Sequence, residues 1–155
     1  MKTVFFGLGI MGKPMSCNLI KAGHDPVVMD RNAVIVTNRM QGDANDVSNE
    51  IMKYIMEAAE TGNGEKICLL FAGEPTVKVT GNGLGGKNQH LALLVEKKLK
   101  NSPLAVFLSG GTDGNDGPTD AAGAVVDSLT CRRASELNID VDGFIKYNDS
   151  YNFFR

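Results

Sequence analysis

The chain has 155 residues, a length typical of one domain, and its 43% hydrophobic residues are enough to build a core without disulfide bonds or bound metal ions. Its 16 basic and 18 acidic residues leave a net charge of −2 with no block of like charge, which argues against nucleic-acid and membrane-surface binding. Three cysteines without CxxC spacing favour a reducing compartment, and no apolar run is long enough for a transmembrane helix. We therefore expect a cytoplasmic domain that takes a small-molecule ligand.

The first 30 residues follow a strand, turn, helix, strand pattern. Strands are predicted over Thr3–Phe6 and Val27–Asp30, and a helix between them ends at Gly23. The turn after the first strand has the GxGxxG spacing, and an acidic residue follows about 20 residues later. This arrangement is typical of a dinucleotide site, with the pyrophosphate on the turn and the ribose at the carboxylate. A tight turn without a ligand is the alternative.

The next strand follows too soon for ordinary parallel topology. Only Arg31 and Asn32 precede the strand-like run Ala33–Thr37, whereas parallel neighbours need a crossover of about a dozen residues. One long strand, a tight hairpin and a junction between two differently derived pieces of chain all remain open.

The rest of the chain alternates helices and strands, which predicts an α/β three-layer sandwich with a mixed, largely parallel sheet. The first helix is expected over residues 43–59, capped by Asp46 or Ser48, and a turn is expected at residues 73–75. The later helices are expected at 88–98, at 129–137 with Ser128 as cap, and around 141–147. Strands are expected over Ile67–Phe71, Thr76–Thr80, Leu104–Ser109 and Ala121–Val126.

A glycine-rich loop at residues 81–89 precedes the helix at 88–98. Its permissive glycines, including Gly85 and Gly86, stand beside Lys87 and the polar donors Asn88 and Gln89, which predicts an anion cradle. It lacks the spacing of a P-loop. A hairpin end with a helix cap is about equally consistent with the pattern.

A second loop, residues 109–120, carries Asp113, Asp116 and Asp120 together with Thr112 directly after a buried strand. Carboxylates and hydroxyls at that place suit either Mg²⁺ with phosphate or a small polyhydroxy acid, and Asp113 and Asp116 are the candidate Mg²⁺ ligands. The alternative is structural: Asx turns at Asp113 and Asp116 and a helix cap at Asp120.

Residues 1–32 resemble the N-terminus of the β-hydroxyacid dehydrogenases, such as tartronate semialdehyde reductase, through the run from Val4 to Met15 and the run from Asn18 to His24. The resemblance implies an NAD(P) site. Its phosphate turn would comprise Gly7, Gly9, Ile10, Met11 and Gly12, and its adenosine ribose site Asp30, Arg31 and Asn32. Counterparts of that family's catalytic lysine and helical C-terminal domain are not found in the sequence.

Residues 33–155 resemble the MOFRL domain, the C-terminal domain of class II glycerate 2-kinases, which are also labelled hydroxypyruvate reductases. Four motifs carry the resemblance: residues 73–77 with Glu74, 85–93, 111–124 and 148–151. It implies ATP- and Mg²⁺-dependent phosphorylation of D-glycerate at a cleft against a larger N-terminal domain. Lys87 stands where arginine is common and His90 where glutamate is common.

We therefore expect a single α/β domain made by a junction near residue 32, with a Rossmann-type opening and a MOFRL-like segment truncated at its C-terminus. The expected parental reaction is glycerate phosphorylation, incomplete in this chain because one wall of the cleft is not seen in the sequence. A reductase of hydroxypyruvate or tartronate semialdehyde and a non-catalytic nucleotide-binding or engineered scaffold are the alternatives. Truncated apolar faces suggest a homodimer. His24 and His90 are expected to be solvated or capping residues, and no catalytic residue is assigned.

Overall fold

The structure is a computed structural model that describes residues 33–62, 67–99, 105–127 and 129–155. The predicted strands Thr3–Phe6 and Val27–Asp30 lie outside the described residues. The same holds for all the candidate NAD(P) residues: Gly7, Gly9, Ile10, Met11, Gly12, Asp30, Arg31 and Asn32.

The described residues form four strands and five helices in an α/β arrangement, which confirms the predicted fold class. In chain order they are β1 (Ala33–Asp43), α1 (Ala44–Thr61), β2 (Cys68–Thr76), α2 (Lys87–Leu99), β3 (Val106–Gly110), β4 (Gly123–Asp127), α3 (Thr130–Glu136), α4 (Val141–Lys146) and α5 (Ser150–Phe154). The strands pair as two sheets of two, β1 parallel to β2 and β3 antiparallel to β4.

Strand β2 is longer than the sequence predicts. It pairs with β1 from Cys68, opposite Ala33, to Thr76, opposite Asp43, so the predicted turn at residues 73–75 and the predicted strand Thr76–Thr80 are both wrong. Gly73 continues the strand because it lies directly against the backbone of Met40, where a side chain would not fit. The segment after β2 makes its polar contacts with the C-terminal part of the chain instead, as described below.

Helix α1 begins one residue later than predicted and has a different cap. The side chain of Asp43, at the end of β1, accepts a hydrogen bond from the Asn45 amide at 2.9 Å. Ser48 is buried inside the helix and donates to the Asn45 carbonyl, so the predicted caps Asp46 and Ser48 are wrong. Because β1 runs without a loop into α1, the cap is the last strand residue.

Helix α2 is the centre of the core. Its residues from Asn88 to Glu96 are all buried, as is Leu99, which is the pattern of a helix covered on all sides. It packs against α1 on one side and against β3 and β4 on the other. The apolar residues at these contacts include Val47 and Ile51 of α1 and Val126 of β4.

The C-terminal part of the chain is three short helices. Ser128, the predicted cap of α3, lies outside the described residues. Asp127 accepts hydrogen bonds from the Leu129 amide and the Thr130 hydroxyl and forms an ion pair with Arg133. Burial acts to raise the pKa of Asp127, but these bonds and the Arg133 charge outweigh it and lower that pKa. The start of α3 is therefore held by the end of β4. Within the described ranges no helix is long and apolar enough to cross a membrane.

Candidate functional site

The glycine-rich loop between β2 and α2 is packed against the segment that links α4 to α5. Gly81 lies against Tyr147, Gly83 against Asp149 and Gly85 against the side chain of Ser150, each so closely that an added Cβ would collide. In the described structure these glycines therefore allow close approach of protein to protein. The close contacts give the loop a structural role, and the anion cradle at Gly85 and Gly86 stays a prediction.

Hydrogen bonds close the same contact. The Asn148 side chain accepts from the amides of Thr80 and Gly81 at 2.7 and 2.9 Å. The Asp149 carboxylate accepts from the Leu84 amide at 2.8 Å, and the Tyr151 amide donates to the Leu84 carbonyl at 2.9 Å. Asn148 has a positive φ of 54°, a conformation that asparagine adopts more readily than most residues. Residues 148–151 thus hold the loop that leads into α2.

Asp116, a predicted substrate and Mg²⁺ residue, caps helix α2 from a distant loop. Its side chain is only 1% exposed. One carboxylate oxygen accepts from the backbone and side-chain amides of Asn88 at 2.9 and 3.0 Å, and the other accepts from the Gln89 amide at 2.8 Å. A carboxylate at this place satisfies first-turn N–H groups and lies at the positive end of the helix dipole. Gly86 leaves the space that this carboxylate fills.

Further bonds extend this cap into a network. The Ser109 hydroxyl, on β3, donates to the side chain of Asn88 at 3.0 Å. The Gln89 side chain donates to the Thr119 hydroxyl at 2.9 Å, and Thr119 in turn donates to the Asp116 carbonyl at 2.8 Å. The loop at residues 111–120 is therefore bound to the first turn of α2 at two points, the buried Asp116 carboxylate and the Thr119 hydroxyl.

Three of the four motifs described above, at residues 85–93, 111–124 and 148–151, are thus brought together in space. Comparisons with known proteins identify the families of this chain. The family model described as the MOFRL family matches residues 67–155. The chain belongs to the MOFRL family. A second model, the NAD binding domain of 6-phosphogluconate dehydrogenase, matches residues 2–94, so the chain also belongs to that family over its N-terminal part. The two matches overlap in the segment that contains β2.

The relatives of this MOFRL chain include glycerate kinases. Glycerate kinase of Homo sapiens is 50% identical over 105 residues, covering 63% of this chain and 20% of the relative. D-glycerate 2-kinase of Thermotoga maritima is 39% identical over 126 residues, covering 80% and 30%. The crystal structure of glycerate kinase from Thermotoga maritima matches with a TM-score of 0.69 and 37% identity, over 79% of this chain and 30% of that one.

Two consequences follow from these coverages. The chain spans about a fifth to a third of the length of the curated relatives it matches. Because the Thermotoga maritima matches leave out only about a fifth of this chain, they necessarily reach beyond the MOFRL model to include β1 and α1. The described residues from 67 onward are therefore a glycerate-kinase-like MOFRL domain, and β1 and α1 lie in the region that the Thermotoga maritima matches add to it.

Several predicted site residues remain at the surface of this MOFRL domain. Asp113 is exposed and accepts from the Asn115 amide at 3.2 Å, which is the Asx turn of the structural alternative. Thr112 is half-buried. Asp120 accepts from the Tyr151 hydroxyl at 2.6 Å, and this bond, the largest cause, raises the pKa of Tyr151. Asp120 thus caps no helix. The second predicted Asx turn is absent at Asp116, whose carboxylate instead bonds across to α2.

The described residues do not fit a Mg²⁺ site held by protein alone. They contain no group of three or more His, Cys, Asp or Glu side chains placed to hold a metal ion. Asp116 is committed to three N–H groups, whereas Asp113 lies exposed on the loop.

Lys87 and Glu74 form an ion pair across the end of the loop. Lys87 Nζ lies 2.6 Å from a Glu74 carboxylate oxygen, with the two side chains 42% and 77% exposed. The hydrogen bond from Lys87, followed by its charge, lowers the pKa of Glu74. An exposed pair of this kind contributes little to stability, so both groups can exchange this partner for a charged ligand.

His90 was expected to be solvated or capping, and this is wrong because its side chain is buried at 7% exposure. Burial lowers its pKa, while the charge of Asp43 acts in the opposite direction. Its Nδ1 accepts or donates no hydrogen bond within the described residues. His90 is therefore a core residue that is held neutral.

A cavity of about 360 Å³ opens between the end of the 111–120 loop, the start of α2 and α5. It is lined by Gln89, Asp120, Ala121, Gly123, Tyr151, Phe154 and Arg155. Sequence reasoning missed Tyr151 and Arg155 as residues of this cavity, whereas it named Gln89 as a polar donor of the glycine-rich loop. The signal for Tyr151 was its place inside the fourth motif, but nothing in the sequence pairs it with Asp120, 31 residues away.

Proposed function

We propose that this MOFRL domain forms one wall of a glycerate 2-kinase active site, where ATP phosphorylates D-glycerate. The observation that carries the proposal is the clamp made by Asp116, which fixes the 111–120 loop on the first turn of α2. The clamp holds exposed polar groups of the loop, such as Asp113 and Asp120, on a rigid support. Rigid placement of such groups is what phosphoryl transfer demands of its enzyme. About 50% identity to glycerate kinases supports the choice of reaction.

In this proposal the chain's own residues bind and orient substrates. Lys87 supplies a cation that its exposed partner Glu74 holds in place and that an anionic substrate can recruit. Exposed Asp113 and Asp120 and half-buried Thr112 can accept or donate hydrogen bonds at the loop surface. ATP, with its Mg²⁺, would supply the phosphoryl group.

We expect negligible kinase turnover from this chain by itself. Phosphoryl transfer needs several cations around the transferring group, and this proposal places one lysine, Lys87, at the described wall. The wall therefore binds and orients the substrates. The remaining catalytic groups would come from outside the described residues.

The test combines turnover with binding. A coupled assay of ADP release with D-glycerate, ATP and Mg²⁺ is expected to give no rate above background, and a normal rate would refute the inactivity. Thermal unfolding with increasing D-glycerate is expected to show a rising midpoint, because a ligand that binds only the folded state stabilises it. Lys87→Met is expected to reduce this rise, with the exposed Lys53→Met on α1 as matched control. An unchanged midpoint at all D-glycerate concentrations would end the proposal.

A second candidate function is NAD(P) binding, which the match of residues 2–94 to an NAD binding domain favours. The candidate residues are the phosphate turn Gly7, Gly9, Ile10, Met11 and Gly12 and the ribose site Asp30, Arg31 and Asn32, all outside the described residues. A reductase acting on hydroxypyruvate or tartronate semialdehyde would additionally consume NADH. Titration with NADH followed by fluorescence is expected to saturate and to fail in Gly9→Ala and Asp30→Ala. Absence of saturable NADH binding would contradict this second candidate and leave a scaffold that binds no dinucleotide.

A further inference from the structure

The glycine-rich loop carries an Asn-Gly pair, Asn82 and Gly83, at the protein surface, where both residues are exposed. In such a pair the backbone nitrogen of the glycine can attack the preceding side-chain amide, because glycine has no Cβ to hinder the approach. The product is a deamidated residue. The surroundings of the Gly83 nitrogen therefore decide how fast this reaction proceeds.

In the structure that nitrogen is engaged in a hydrogen bond. The Gly83 amide donates to the Tyr147 carbonyl at 2.8 Å. The amides of Gly81 and Leu84 donate to the side chains of the two residues after Tyr147, at 2.9 and 2.8 Å. We call these three bonds the linker contact, since they join the loop to the segment between α4 and α5. An amide held in this way gives up its proton only when the contact opens.

We propose that Asn82 is a site of spontaneous deamidation and that the linker contact slows the reaction. When the contact opens, the Gly83 nitrogen forms a bond to the Asn82 side-chain carbonyl carbon. The side-chain nitrogen leaves and takes up the Gly83 amide proton, which gives ammonia and a succinimide ring. Water then opens the ring to an aspartyl or an isoaspartyl residue. This proposal is independent of the glycerate kinase function.

An isoaspartyl product keeps the linker contact open. Its main chain runs through the former side chain, so it is longer by a methylene between residues 82 and 83, and it carries a new carboxylate. The contact has no space for a longer chain, since even a Cβ added to Gly81 would collide with Tyr147, and one added to Gly83 would collide with Asp149. The new charge also stands one residue from this Asp149 contact, and like charges repel. Deamidation therefore releases, in one direction, the loop that leads into α2.

The experiment incubates the full 155-residue chain at mildly alkaline pH and follows deamidation by tryptic digestion and mass spectrometry. Cleavage after Lys78 and Lys87 gives the peptide 79–87, in which Asn82 is the only side-chain amide, so its mass increase reports this site alone. The synthetic peptide 79–87 gives the rate without the linker contact. We expect Asn82 to react at least about 10-fold more slowly in the folded chain than in the peptide, because the reaction waits for local opening.

Two substitutions at Asn148 test whether the linker contact is responsible. Asn148→Gly removes the side-chain acceptor of the Thr80 and Gly81 amides and tolerates the φ of 54° at this position. We expect Asn82 to deamidate at least about 5-fold faster, as the loss of a hydrogen bond implies. Asn148→Asp keeps an acceptor and is expected to stay within about 2-fold of the original chain. Circular dichroism checks that both variants fold. If Asn148→Gly does not, Asp149→Ala, which removes the next acceptor of the loop, carries the test.

A second measurement addresses the product. Anion exchange separates the deamidated chain from the unmodified one by its added negative charge, and hydrogen exchange then reports on the amides of Gly81, Gly83 and Leu84. We expect these amides to exchange at least about 10-fold faster in the deamidated fraction. Asn82→Ala cannot deamidate and is the matched control, which should exchange as the unmodified chain does.

The outcomes are distinct. Equal rates at Asn82 in the folded chain and the peptide, or no acceleration in Asn148→Gly, would overturn the protection by the linker contact. No deamidation in Asn148→Gly or in the peptide would overturn the site itself. Unchanged hydrogen exchange in the deamidated fraction would show that the contact forms again around the product. None of these results depends on D-glycerate, so the proposed function stands or falls separately.

Discussion

Replacing Asp116 tests whether the loop clamp is structural. Asp116→Ala removes a buried acceptor from two backbone N–H groups, of Asn88 and Gln89, and from the Asn88 side chain. A buried donor left without a partner costs about 1–3 kcal/mol, and loss of a helix cap costs about 0.5–2 kcal/mol. Because these costs overlap, we expect the free energy of unfolding to fall by about 3–5 kcal/mol.

The assay is urea unfolding followed by circular dichroism, with the slope compared between variants to confirm a common unfolded state. Asp116→Asn keeps one oxygen for Asn88 but turns an NH₂ group toward the Gln89 amide, so it should cost about 1–3 kcal/mol and serve if the alanine variant is unfolded without urea. Asp113→Ala is the matched control in the same loop. Asp113 is exposed and accepts one bond at 3.2 Å, so its loss should cost no more than about 0.5 kcal/mol.

The reasoning fails if Asp116→Ala unfolds within about 1 kcal/mol of the original chain, or if it matches Asp113→Ala. Either result would mean that the first turn of α2 finds other acceptors, and that Asp116 is not what fixes the 111–120 loop on α2. A rise of the unfolding midpoint with millimolar Mg²⁺ that disappears in Asp116→Asn would point the same way, since a metal that binds the folded state stabilises it.

Three further predictions use other parts of the same region. Gly86→Ala should destabilise strongly, by about 2 kcal/mol or more in urea unfolding, because its new Cβ would collide with the Asp116 carboxylate; a loss below about 0.5 kcal/mol would contradict this. The pKa of His90 is lowered from 6.5 in the folded state, so unfolding takes up a proton below that pH, and stability should fall on acidification with a slope of at most about 1.4 kcal/mol per pH unit. His90→Gln should flatten this slope, and an unchanged profile would refute the assignment. Lys87→Met should change stability by no more than about 1 kcal/mol, because its pair with Glu74 is exposed; a larger loss in urea unfolding would show that the pair is structural.

The elements that the sequence predicted well are those whose apolar pattern is local. The amphipathic spacing of Val47, Ile51 and Ile55 places α1 within two residues at each end. The predicted helix at residues 88–98 differs from α2 by one residue at each end, because its apolar residues recur along the whole segment without a helix-breaking residue between them. In both cases burial of neighbouring residues along one segment decides the structure.

The predictions that failed depend on contacts between distant segments. A glycine and a proline at residues 73–75 indicate a turn when only local propensity is considered. In the structure Gly73 fits against the backbone of Met40, and Pro75 lies near the end of β2, opposite Gly42, where one missing N–H matters little. Pairing with β1 therefore overrides the turn signal, and no pattern within the segment itself reveals it.

The loop glycines and aspartates show why a ligand interpretation and a structural one are hard to separate from sequence. Both need permissive backbone next to carboxylates, and the same pattern serves an anion cradle or a helix cap built from elsewhere. One clue was available. The residues before α2 are glycines, with no side chain to cap the helix, so its first N–H groups had to find an acceptor in another segment.

The need of the first α2 N–H groups for a distant acceptor also limits what the family match indicates about chemistry. In this MOFRL domain Asp116, Gly85 and Gly86 are used to fasten loops to one another, so their presence in the motif specifies the fold whether or not the chain reacts. Motif residues that do not join one loop to another are a better guide to ligand binding and catalysis. Gln89 belongs to the clamp, since its NH₂ group donates to the Thr119 hydroxyl at 2.9 Å and its side chain is only 1% exposed. Exposed Lys87 and Asp113 are therefore better candidates for ligand contact than the buried residues of the motifs.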